Sequence, residues 1–447
     1  MTKQKISVFW FRRDLRLQDN HGLFQALKSP YPVLPLFIFD NSITQNLPQN
    51  DSRIGFIHDR LAKLNHSLLE YSTSLRILQG DVLKVWENLS QEFDIQDVFA
   101  NEDYEPSTIL RDKNVSDLLR KHGTPLNLCK DQVIFAKGEV LKNDGTPYTV
   151  YTPYKNKWLS QIKEVTLPQY PSETLNNYLK TGLSFPRLSD LGFTECQGDF
   201  LEVHFPCKRQ WVKVRPYNLN YLDQYEKIRD FPALAQTSDL APHLRFGTLS
   251  IRQLVEKTKF RAVFLSELIW REFFMQILFH FPHVTTQNFK SKYNSIEWRN
   301  DLEEFEKWKK GETGYPMVDA GMRELNQTGY MHNRVRMITA GFLCKHLLID
   351  WRWGEAYFAS KLMDYEQASN NGNWQWSAGT GCDSAPYFRI FNPSEQIKKF
   401  DKQLEYIKKW IPELNSLEYS IPIVDHKYAR ERALRTYKQG LEKTIED

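Results

Sequence analysis

The run Asn370–Trp376, NNGNWQW, combines side chains that ordinary folding does not explain. Asparagine and glycine are poor helix formers, and asparagine is seldom buried, so neither helix propensity nor core packing accounts for the run. If the run is helical, the side chains of Trp374 and Trp376 point about 200° apart, because each residue advances the helix by about 100°. We therefore expect one ring to pack inward and the other to line a cavity.

A second stretch, Ala235–Gly247 or AQTSDLAPHLRFG, places Thr237 and Ser238 just ahead of a helical pattern. Hydroxyl groups and unpaired backbone N–H groups at the start of a helix can bind an anion. Serine and threonine are also ordinary helix N-caps, so both interpretations stay open. The first third of the chain contains no GxGxxG motif, so a bound dinucleotide would have to be held by the later, helical part.

The elements that must position these residues change along the chain. Ile6–Phe11 and Val33–Phe39 are continuous apolar runs, which are typical of strands buried on both faces of a parallel sheet. Leu75–Leu78 and Asp97–Ala100 predict further strands, and Asp81 is the predicted N-cap of the helix between them. We predict an α/β domain with a doubly wound parallel sheet over residues 1–130, with ligands at the carboxyl ends of the strands.

The rest of the chain predicts a connector and a second domain. From about Glu164 to Pro216 the periodicity fades and prolines accumulate, which favours a long connector draped over the surface; we place it at residues 131–216. Residues 217–447 predict a larger all-α domain, with a short, frayed helix from Tyr428. Its helical patterns are Leu222–Ile228, Ile251–Thr258, Ala262–Phe279, Met317–Asn326, Arg334–Leu348 and Glu355–Lys361.

Composition narrows the class of protein. The chain has 447 residues, of which 41% are hydrophobic and 26% charged, and this usage excludes disordered, collagen-like and membrane proteins. The net charge is only +4, so a nucleic-acid contact must be a local patch rather than an attraction of the whole molecule. Aromatic residues make up 14% of the chain, and this excess indicates a use for aromatic rings.

Cysteine usage and the first residues indicate a reducing compartment. No CxxC spacing occurs, which disfavours a disulfide framework and a zinc site. Arg12 and Arg13 directly follow a short apolar run, a pattern typical of neither a signal peptide nor a membrane span. We expect a cytoplasmic protein without a metal and without membrane contact. The five cysteines are Cys129, Cys196, Cys207, Cys344 and Cys382.

Longer motifs carry a resemblance that runs from about residue 5 to residue 415. They are FRRDLRLQDN, TSDLAPHLRFGTLS, ELIWREF, GYPMVDAGMREL, GYMHNRVRMITAGFL, DWRWGE, NNGNWQW and APYFRIFNP. In this order they resemble the photolyase/cryptochrome flavoproteins, and most of all the class I DNA photolyases that repair cyclobutane pyrimidine dimers. The resemblance implies an α/β antenna domain, a connector, and a helical domain that holds a folded-up FAD above a hole for a flipped-out dimer.

The same resemblance assigns residues to the flavin. Asp364 and Arg336 would form an ion pair beside the isoalloxazine ring, and the amide of Asn370 would face flavin N5. A neutral amide can accept or donate a hydrogen bond, which suits a group whose protonation changes with its redox state. The implied FAD contacts are Tyr225, Thr237, Ser238, Asp239, Leu240, Arg271, Asn333, Arg336, Asp364, Glu366 and Asn370.

The resemblance also implies contacts with the lesion. Trp270 and Trp376 would stack on the flipped bases, and Glu267 would act on the dimer. Glu267 lies in the apolar run LSELIW, which favours a protonated carboxyl that could donate to a pyrimidine carbonyl as negative charge builds there. Asn333 and Met337 complete the implied lesion contacts.

The resemblance also implies a set of electron-relay residues and a set of DNA contacts. Trp298, Trp351 and Trp374 correspond to the family's electron-relay tryptophans. Arg229 and Arg334 correspond to arginines that touch DNA near the lesion, where a guanidinium can hold a phosphate with two hydrogen bonds. The implied partner is DNA containing pyrimidine dimers, bound by a monomer.

Departures from the family pattern concern the antenna and the rival functions. Tyr104–Pro106 is followed by Ser107–Thr108 where folate-binding relatives carry an Asn-Glu pair. A folate antenna is therefore disfavoured, while deazaflavin, a second flavin or an empty site stay open.

A (6-4) photolyase would carry histidines in place of Asn333 and Met337. A cryptochrome-type blue-light receptor would have lost the lesion contacts or gained a long tail. Repair of cyclobutane dimers is therefore the favoured function.

Overall fold

The computed structural model of the protein describes residues 3–194 and 212–446; Cys196, Cys207 and Pro206 lie outside the described residues. Over these two ranges the chain forms five strands, β1 (Lys5–Phe11), β2 (Val33–Asp40), β3 (Arg76–Gly80), β4 (Asp94–Asn101) and β5 (Leu126–Cys129). The α-helices of these ranges are α1 (His21–Leu27), α2 (Asn41–Thr44), α3 (Ser52–Leu69), α4 (Val82–Glu92), α5 (Pro106–Lys121), α6 (Tyr151–Ile162), α7 (Tyr225–Ile228), α8 (Leu240–Arg245), α9 (Ile251–Thr258), α10 (Ala262–His280), α11 (Leu302–Lys310), α12 (Pro316–Thr328), α13 (Asn333–Gly341), α14 (Trp351–Lys361), α15 (Gln367–Ala378), α16 (Pro393–Phe400), α17 (Glu405–Trp410) and α18 (His426–Glu446).

The first of two compact units contains a parallel sheet. The unit comprises Met1–Ala136, Gln161–Pro216 and Leu240–Phe260. The strand order is β3-β2-β1-β4-β5, and all neighbouring strands run parallel, as the apolar runs predicted. Alternate side chains of β1 face opposite sides, with Phe9 in one buried cluster and Trp10 in another, so both faces of the sheet are covered.

Side chains fill the carboxyl edge of this sheet between β1 and β4, where the strand order reverses. Asn101 at the end of β4 donates from Nδ2 to Asp14, accepts from the N–H of Gly22 at 2.9 Å, and so ties the edge to α1. A Cβ added at Gly22 would lie 2.8 Å from Asn101 Oδ1, which leaves no room for even a methyl group. Nearby, Asp81 caps α4 by accepting from the N–H of Lys84 at 3.0 Å, which confirms the predicted cap.

Part of the predicted connector belongs to the core instead of lying on the surface. The N–H of Leu179 donates to the carbonyl of Val33 at 2.8 Å, and Tyr178, Leu188 and Leu191 are buried against the sheet. These side chains follow no regular period, because the segment contributes them singly rather than along one face of a helix. The expectation of a surface connector is therefore wrong for this segment.

The second unit is helical and comprises Lys137–Ser160, Tyr217–Asp239 and Arg261–Asp447. One of its buried clusters gathers side chains of α12, α13, α14 and α15 around Trp308 and Trp374. The pattern over Arg334–Leu348 predicted one helix, but α13 ends at Gly341 and a π-helical turn follows at Phe342–His346. Its extra residue per turn allows all five side chains of the turn to be buried.

The C-terminal helix α18 also differs from the expectation of a short, frayed helix. Ala429, Ala433 and Tyr437 recur every four residues and are fully buried. The hydroxyl of Tyr437 donates to the carbonyl of Ala378 at 2.8 Å, and its ring stacks on Tyr387 at 5.6 Å. A narrow apolar stripe, hidden in the sequence among charged residues, therefore docks this helix. Among the described residues, no helix combines the length and the apolar character that a membrane crossing requires.

Candidate functional site

The NNGNWQW run forms most of helix α15, and its polar side chains bond inside the protein. Asn371 Nδ2 and Gln375 Nε2 both donate to the carbonyl of Val284, at 2.9 and 3.0 Å. A Cβ on Gly372 would lie 2.2 Å from the ring of Phe274, so only glycine permits this close approach to α10. These tertiary contacts, rather than helix propensity, fix α15 in place.

Trp374 and Trp376 have the different environments that their helical spacing predicted. Trp374 is 2% exposed and packs edge-on against Phe358 at a ring distance of 4.9 Å, whereas Trp376 is only partly buried. A Cβ on Gly354 of α14 would lie 2.1 Å from the Trp374 ring, so α14 and α15 meet at this ring. One tryptophan is therefore a core residue and its neighbour is accessible.

The other two relay candidates belong to the same region of the core. Trp351 begins α14, is 1% exposed and donates from Nε1 to Asn288 Oδ1 at 2.8 Å. Trp351 and Trp374 lie in one buried cluster, and the half-buried Trp298 packs against it, with its ring 5.9 Å from that of Tyr437. The structure therefore brings the three tryptophans to one core that reaches the surface at Trp298.

An ion pair joins α13 to the segment before α15. Arg336 Nη2 lies 2.8 Å from Asp364 Oδ2, and Arg336 Nε donates to the carbonyl of Met331 at 2.8 Å. The family resemblance implied this pair. The other carboxylate oxygen, Asp364 Oδ1, is buried and has no hydrogen-bond partner among the described residues. A buried, unpartnered acceptor is costly, so this oxygen is available to a ligand that donates a hydrogen bond.

A second pair lies beside the first. Arg271 of α10 lies 3.4 Å from Glu366 Oε1, and Glu366 Oε2 accepts from Ser369 Oγ at 2.9 Å. Asn370, one helical turn further, donates from Nδ2 to Glu355 Oε1 at 2.9 Å. Burial raises the pKa of Glu355, and the hydrogen bond from Asn370 partly offsets the rise. Sequence reasoning missed Glu355, although it ends the quoted DWRWGE motif.

The stretch around Thr237 is a turn rather than part of a helix. Thr237 Oγ1 donates to Asp239 Oδ1 at 3.2 Å, the carbonyl of Ser238 accepts from the N–H of Asn218 at 2.9 Å, and Asp239 has a φ of 49°. These three residues belong to the helical unit, whereas Leu240 begins the six-residue helix α8 of the other unit. The anion site at Thr237 and Ser238 stays a prediction.

Tyr225 begins α7 and lies against the start of α10. Its ring meets Phe264 edge-on at 5.1 Å, and the guanidinium of Arg229 lies 5.2 Å from the ring centroid. Burial, reinforced by the negative charge of Glu267, raises the pKa of Tyr225 to about 12. The tyrosine is therefore neutral over the physiological range.

The expected apolar setting of Glu267 is wrong. Arg229 Nη1 lies 2.6 Å from Glu267 Oε1, and the two side chains are 24% and 34% exposed. The sequence run LSELIW is apolar, but Glu267 and Arg229 are 38 residues apart and the fold brings them together. Glu267 therefore lies in a partly exposed ion pair instead of the apolar surroundings that its sequence neighbours predicted.

Trp270 has one face covered by a residue that the sequence analysis placed in the connector. Its ring stacks on Tyr151 at a centroid distance of 3.6 Å and an interplanar angle of 8°. The hydroxyl of Tyr151 donates to the carbonyl of Ser266 at 2.7 Å, and its N–H donates to Asp383 Oδ2 at 3.0 Å. Tyr151 thus ties α6 and α10 to the segment that carries Asp383. Its only sequence signal was its place in an aromatic-rich stretch.

The remaining candidates lie on the first turns of α13. Asn333 is exposed, and its Nδ2 lies 4.0 Å from Met337 Sδ. Arg334 Nη2 lies 2.6 Å from Asp230 Oδ1. In the part of the chain that the structure describes, no ring contact joins Trp376 to Trp270, and no hydrogen bond joins the Thr237 turn to the Arg336–Asp364 pair.

Comparison with known proteins decides the family. Residues 7–172 match the family model described as DNA photolyase, and residues 264–420 match the model described as FAD binding domain of DNA photolyase. The deoxyribodipyrimidine photo-lyase of Vibrio cholerae is 38% identical over 96% of this chain and 99% of that protein. The chain belongs to the DNA photolyase family.

Solved photolyase structures agree in fold. A bacterial class III photolyase from Agrobacterium tumefaciens is 34% identical, with a TM-score of 0.85 over 99% of both chains. An archaeal photolyase from Sulfolobus tokodaii with two FAD molecules is 33% identical, with a TM-score of 0.83 over 98% of this chain and 100% of that chain. The activity of the present photolyase is light-driven repair of pyrimidine dimers in DNA, with FAD as the cofactor.

The residues of the helical unit fit FAD. Arg271 and Arg336 supply cations, and Asp364 Oδ1 is a buried acceptor without a partner among the described residues. Asn370 is 9% exposed and lies close to two of the acidic residues of the site, through its backbone bond to Glu366 and its side-chain bond to Glu355. The donor and acceptor set therefore suits a polar ring carrying both N–H and carbonyl groups.

Proposed function

We propose that residues 217–447 hold FAD between α10, α13 and α15, and that residues 1–130 form the antenna domain. The observation that carries the flavin site is the Arg336–Asp364 pair with its second carboxylate oxygen buried and unpartnered among the described residues. A ring N–H of the flavin would satisfy that oxygen. The residues proposed to contact FAD are Tyr225, Thr237, Ser238, Asp239, Leu240, Arg271, Asn333, Arg336, Asp364, Glu366 and Asn370.

Asn370 is proposed to face flavin N5, with Glu355 as its positioning residue. The bond from Asn370 Nδ2 to Glu355 Oε1 at 2.9 Å fixes which end of the amide is used inside the protein. The oxygen end of Asn370 then remains for the cofactor, where it can accept from a protonated nitrogen. Glu355 acts through Asn370 and does not itself touch the flavin in this proposal.

The dimer is proposed to enter beside Trp270, Trp376 and Met337. Reduced FAD, once excited by light, supplies the electron that splits the cyclobutane ring. Because one face of Trp270 is covered by Tyr151, only its opposite face is offered to a base. Stacking on each aromatic ring is worth about 1–3 kcal/mol per base and offsets part of the cost of flipping the dimer out. Asn333 completes these proposed lesion contacts.

Glu267 is proposed to act as one half of the Arg229–Glu267 pair. The pair spans 2.6 Å and is partly exposed, so both groups are close to the surface that receives DNA. The guanidinium of Arg229 can stabilise negative charge on the dimer, and Glu267 orients that guanidinium. Arg334 is the second proposed DNA contact, through the phosphate backbone.

Trp298, Trp351 and Trp374 are proposed to carry electrons between the surface and the flavin. Their shared core cluster supports this route, with the partly exposed Trp298 as its outer end.

We further propose a monomer in a reducing, cytoplasmic compartment. Among the described residues, Cys129, Cys344 and Cys382 are free cysteines.

Illumination of the purified protein tests the proposed function. Its absorption spectrum should show a flavin, and the same spectrum decides between deazaflavin, a second flavin and no antenna. After chemical reduction, the protein should remove cyclobutane dimers from DNA in blue light and leave them intact in the dark. A flavin-loaded, reduced protein that removes no dimers in light would contradict the proposal and favour a cryptochrome-type receptor.

A further inference from the structure

The two arginines proposed to touch DNA are each held by a carboxylate in the protein alone. Arg229 Nη1 lies 2.6 Å from Glu267 Oε1, and Arg334 Nη2 lies 2.6 Å from Asp230 Oδ1. Glu267 already has a proposed role at the dimer. Asp230 has none, although it follows Arg229 in the chain and is separated by one residue from the 3-10 helix Pro232–Leu234. Its function is therefore open.

Arg334 is held by few strong bonds. Its guanidinium carbon lies 4.5 Å over the ring of Phe400, and its Nη1 lies 3.8 Å from Met337 Sδ, a weak acceptor. Its Nε is buried and has no hydrogen-bond partner among the described residues. A guanidinium has five N–H donors, yet the one described oxygen that accepts from Arg334 belongs to Asp230. A phosphate, which can accept two such bonds, would therefore replace Asp230 without loss.

The pair also has the exposure that an exchange of partners requires. The side chain of Arg334 is 19% exposed and that of Asp230 is 37% exposed, so solvent and DNA reach the carboxylate. Arg334 lies on the same turn of α13 as Met337, a proposed lesion contact. Partly exposed ion pairs shift an equilibrium by up to about fivefold, which is enough to alter a lifetime without preventing binding.

We propose that Asp230 is an intramolecular competitor for the DNA phosphate at Arg334 and that it sets the rate at which DNA leaves. This inference rests on the proposed contact of Arg334 with DNA. When the phosphate binds, Arg334 exchanges Asp230 for it. When the phosphate moves away, the carboxylate recaptures the guanidinium, and the strand has one fewer contact to rebind. Release after repair is thereby favoured without a change at the dimer itself.

The test compares Asp230→Asn with a matched variant of another ion pair in the same unit. Asp223→Asn removes an equal charge from the pair with Arg261, whose atoms lie 2.8 Å apart, so long-range effects of charge should be similar. Stopped-flow fluorescence with dimer-containing duplex gives the association and dissociation rates separately. Asp230→Asn should slow dissociation by about fivefold, while its association rate should change no more than that of Asp223→Asn. Asp230→Glu retains a carboxylate and should keep dissociation near the wild-type rate.

Three outcomes would overturn the inference. Faster dissociation of Asp230→Asn would mean that Asp230 holds Arg334 in its binding position. An unchanged dissociation rate would leave Asp230 with no role in release. Rates that match those of Asp223→Asn would reduce the effect to general charge. Asp230→Ser repeats the measurement without an amide should Asp230→Asn prove unstable.

Arg334→Ala separates the inference from the function on which it rests. This variant should speed dissociation of dimer-containing DNA. If Arg334→Ala leaves dissociation unchanged, the proposed DNA contact of Arg334 is wrong. If Arg334→Ala speeds dissociation and Asp230→Asn has no effect, the DNA contact stands and the competitor role of Asp230 fails.

Discussion

Two regions differ in how their buried polar atoms are hydrogen-bonded: the core around Trp374, and the region around Arg334, Asp364 and the Arg229–Glu267 pair, which we call the rim. In the core, Trp351 Nε1 donates to Asn288 Oδ1, and Trp308 Nε1 donates to the carbonyl of Thr339 at 3.1 Å. At the rim, Arg334 Nε and Asp364 Oδ1 are buried without a partner among the described residues. Both regions lie in the helical unit.

The difference separates a fixed geometry from an exchangeable one. Buried rings with satisfied N–H groups lose packing and hydrogen bonds if they move, so the core keeps its aromatic rings at constant separation. That constancy suits electron transfer, in which nothing needs to bind or leave. Unpartnered polar atoms and partly exposed ion pairs at the rim can gain bonds from a ligand, which suits a cofactor and a DNA strand.

The largest expected effect is the loss of flavin photoreduction when Trp374 of the core is replaced. Trp374→Phe retains an aromatic ring, so the packing loss should be well below the roughly 3–5 kcal/mol of a truncation to alanine. The variant, purified with oxidised flavin, should fail to photoreduce under blue light, because phenylalanine is far harder to oxidise than tryptophan. Flavin absorbance during illumination measures this loss.

Chemical reduction of the same variant tests whether the core and the rim are separate. Trp374→Phe with chemically reduced flavin should repair dimers normally, since the dimer is proposed to lie at Trp376. Trp353→Phe is the matched control, because Trp353 lies on α14, is half-buried and packs against Phe305 at 5.3 Å outside the proposed relay. If the reduced, flavin-loaded Trp374→Phe protein cannot repair dimers, the core is needed for repair as well as for photoreduction, and the two regions do not act separately.

Removing the accessible ring is expected to have the next largest effect. Trp376→Ala should weaken the binding of dimer-containing DNA by about 1–3 kcal/mol, the worth of stacking on one ring. Affinity for undamaged DNA and photoreduction of the flavin should not change. Fluorescence titrations of both DNA types measure the difference, and Trp376→Phe serves as a control that retains a ring. An equal loss for both DNA types would show that Trp376 is not a lesion contact.

The same contrast explains what the sequence could predict. Continuous apolar runs predicted β1 and β2, because burial on both faces leaves a clear pattern. The shorter runs Leu75–Leu78 and Asp97–Ala100 predicted β3 and β4. The run Leu126–Cys129 carried no such pattern, because its strand is short and its residues are mostly half-exposed at the sheet edge. Helix α15 formed against the propensity of its residues, because Asn371 and Gln375 are bonded to the distant carbonyl of Val284. Local rules cannot anticipate bonds to residues about ninety positions away.

The site shows the same limit. The Arg336–Asp364 pair and the separate environments of Trp374 and Trp376 were expected, the first from the family resemblance and the second from helical geometry. The Arg229–Glu267 pair was not, because the neighbours of Glu267 in sequence are apolar while its neighbour in space is an arginine. Tyr151 was missed for the same reason.

Glu267 is expected to show a smaller effect at the rim. Glu267→Ala removes the partner that orients Arg229, so the dimer loses stabilisation and the number of dimers repaired per absorbed photon should fall severalfold. Flavin content should stay normal, because Glu267 is not among the proposed flavin contacts. Quantum yields of both proteins measure the change, and Glu267→Gln, which retains a hydrogen-bonding group, should lie between them. An unchanged yield in Glu267→Ala would remove Glu267 from the residues that act on the dimer.

The smallest expected effect is a change of stability with pH at His332, a rim residue whose pKa is lowered by burial. His332 caps α13, the helix of Arg334, by accepting from the Arg334 N–H at Nδ1. Burial lowers the pKa of His332 from 6.5 to about 4. Between these two values the unfolded chain binds a proton that the folded protein does not, so its contribution to stability is complete above pH 6.5 and falls as the pH drops towards 4.

Between pH 7 and pH 5 this group should remove roughly 1–2 kcal/mol from the free energy of unfolding. His332→Asn keeps a side-chain acceptor for the cap but does not titrate, so its stability should fall less over the same interval. Denaturant unfolding of both proteins at several pH values measures the difference, and other titrating groups cancel in the comparison. Equal losses of stability in the two proteins would mean that His332 binds its proton in the folded protein as well. The hydrogen bond that caps α13 would then be exchangeable, like the ion pairs beside it.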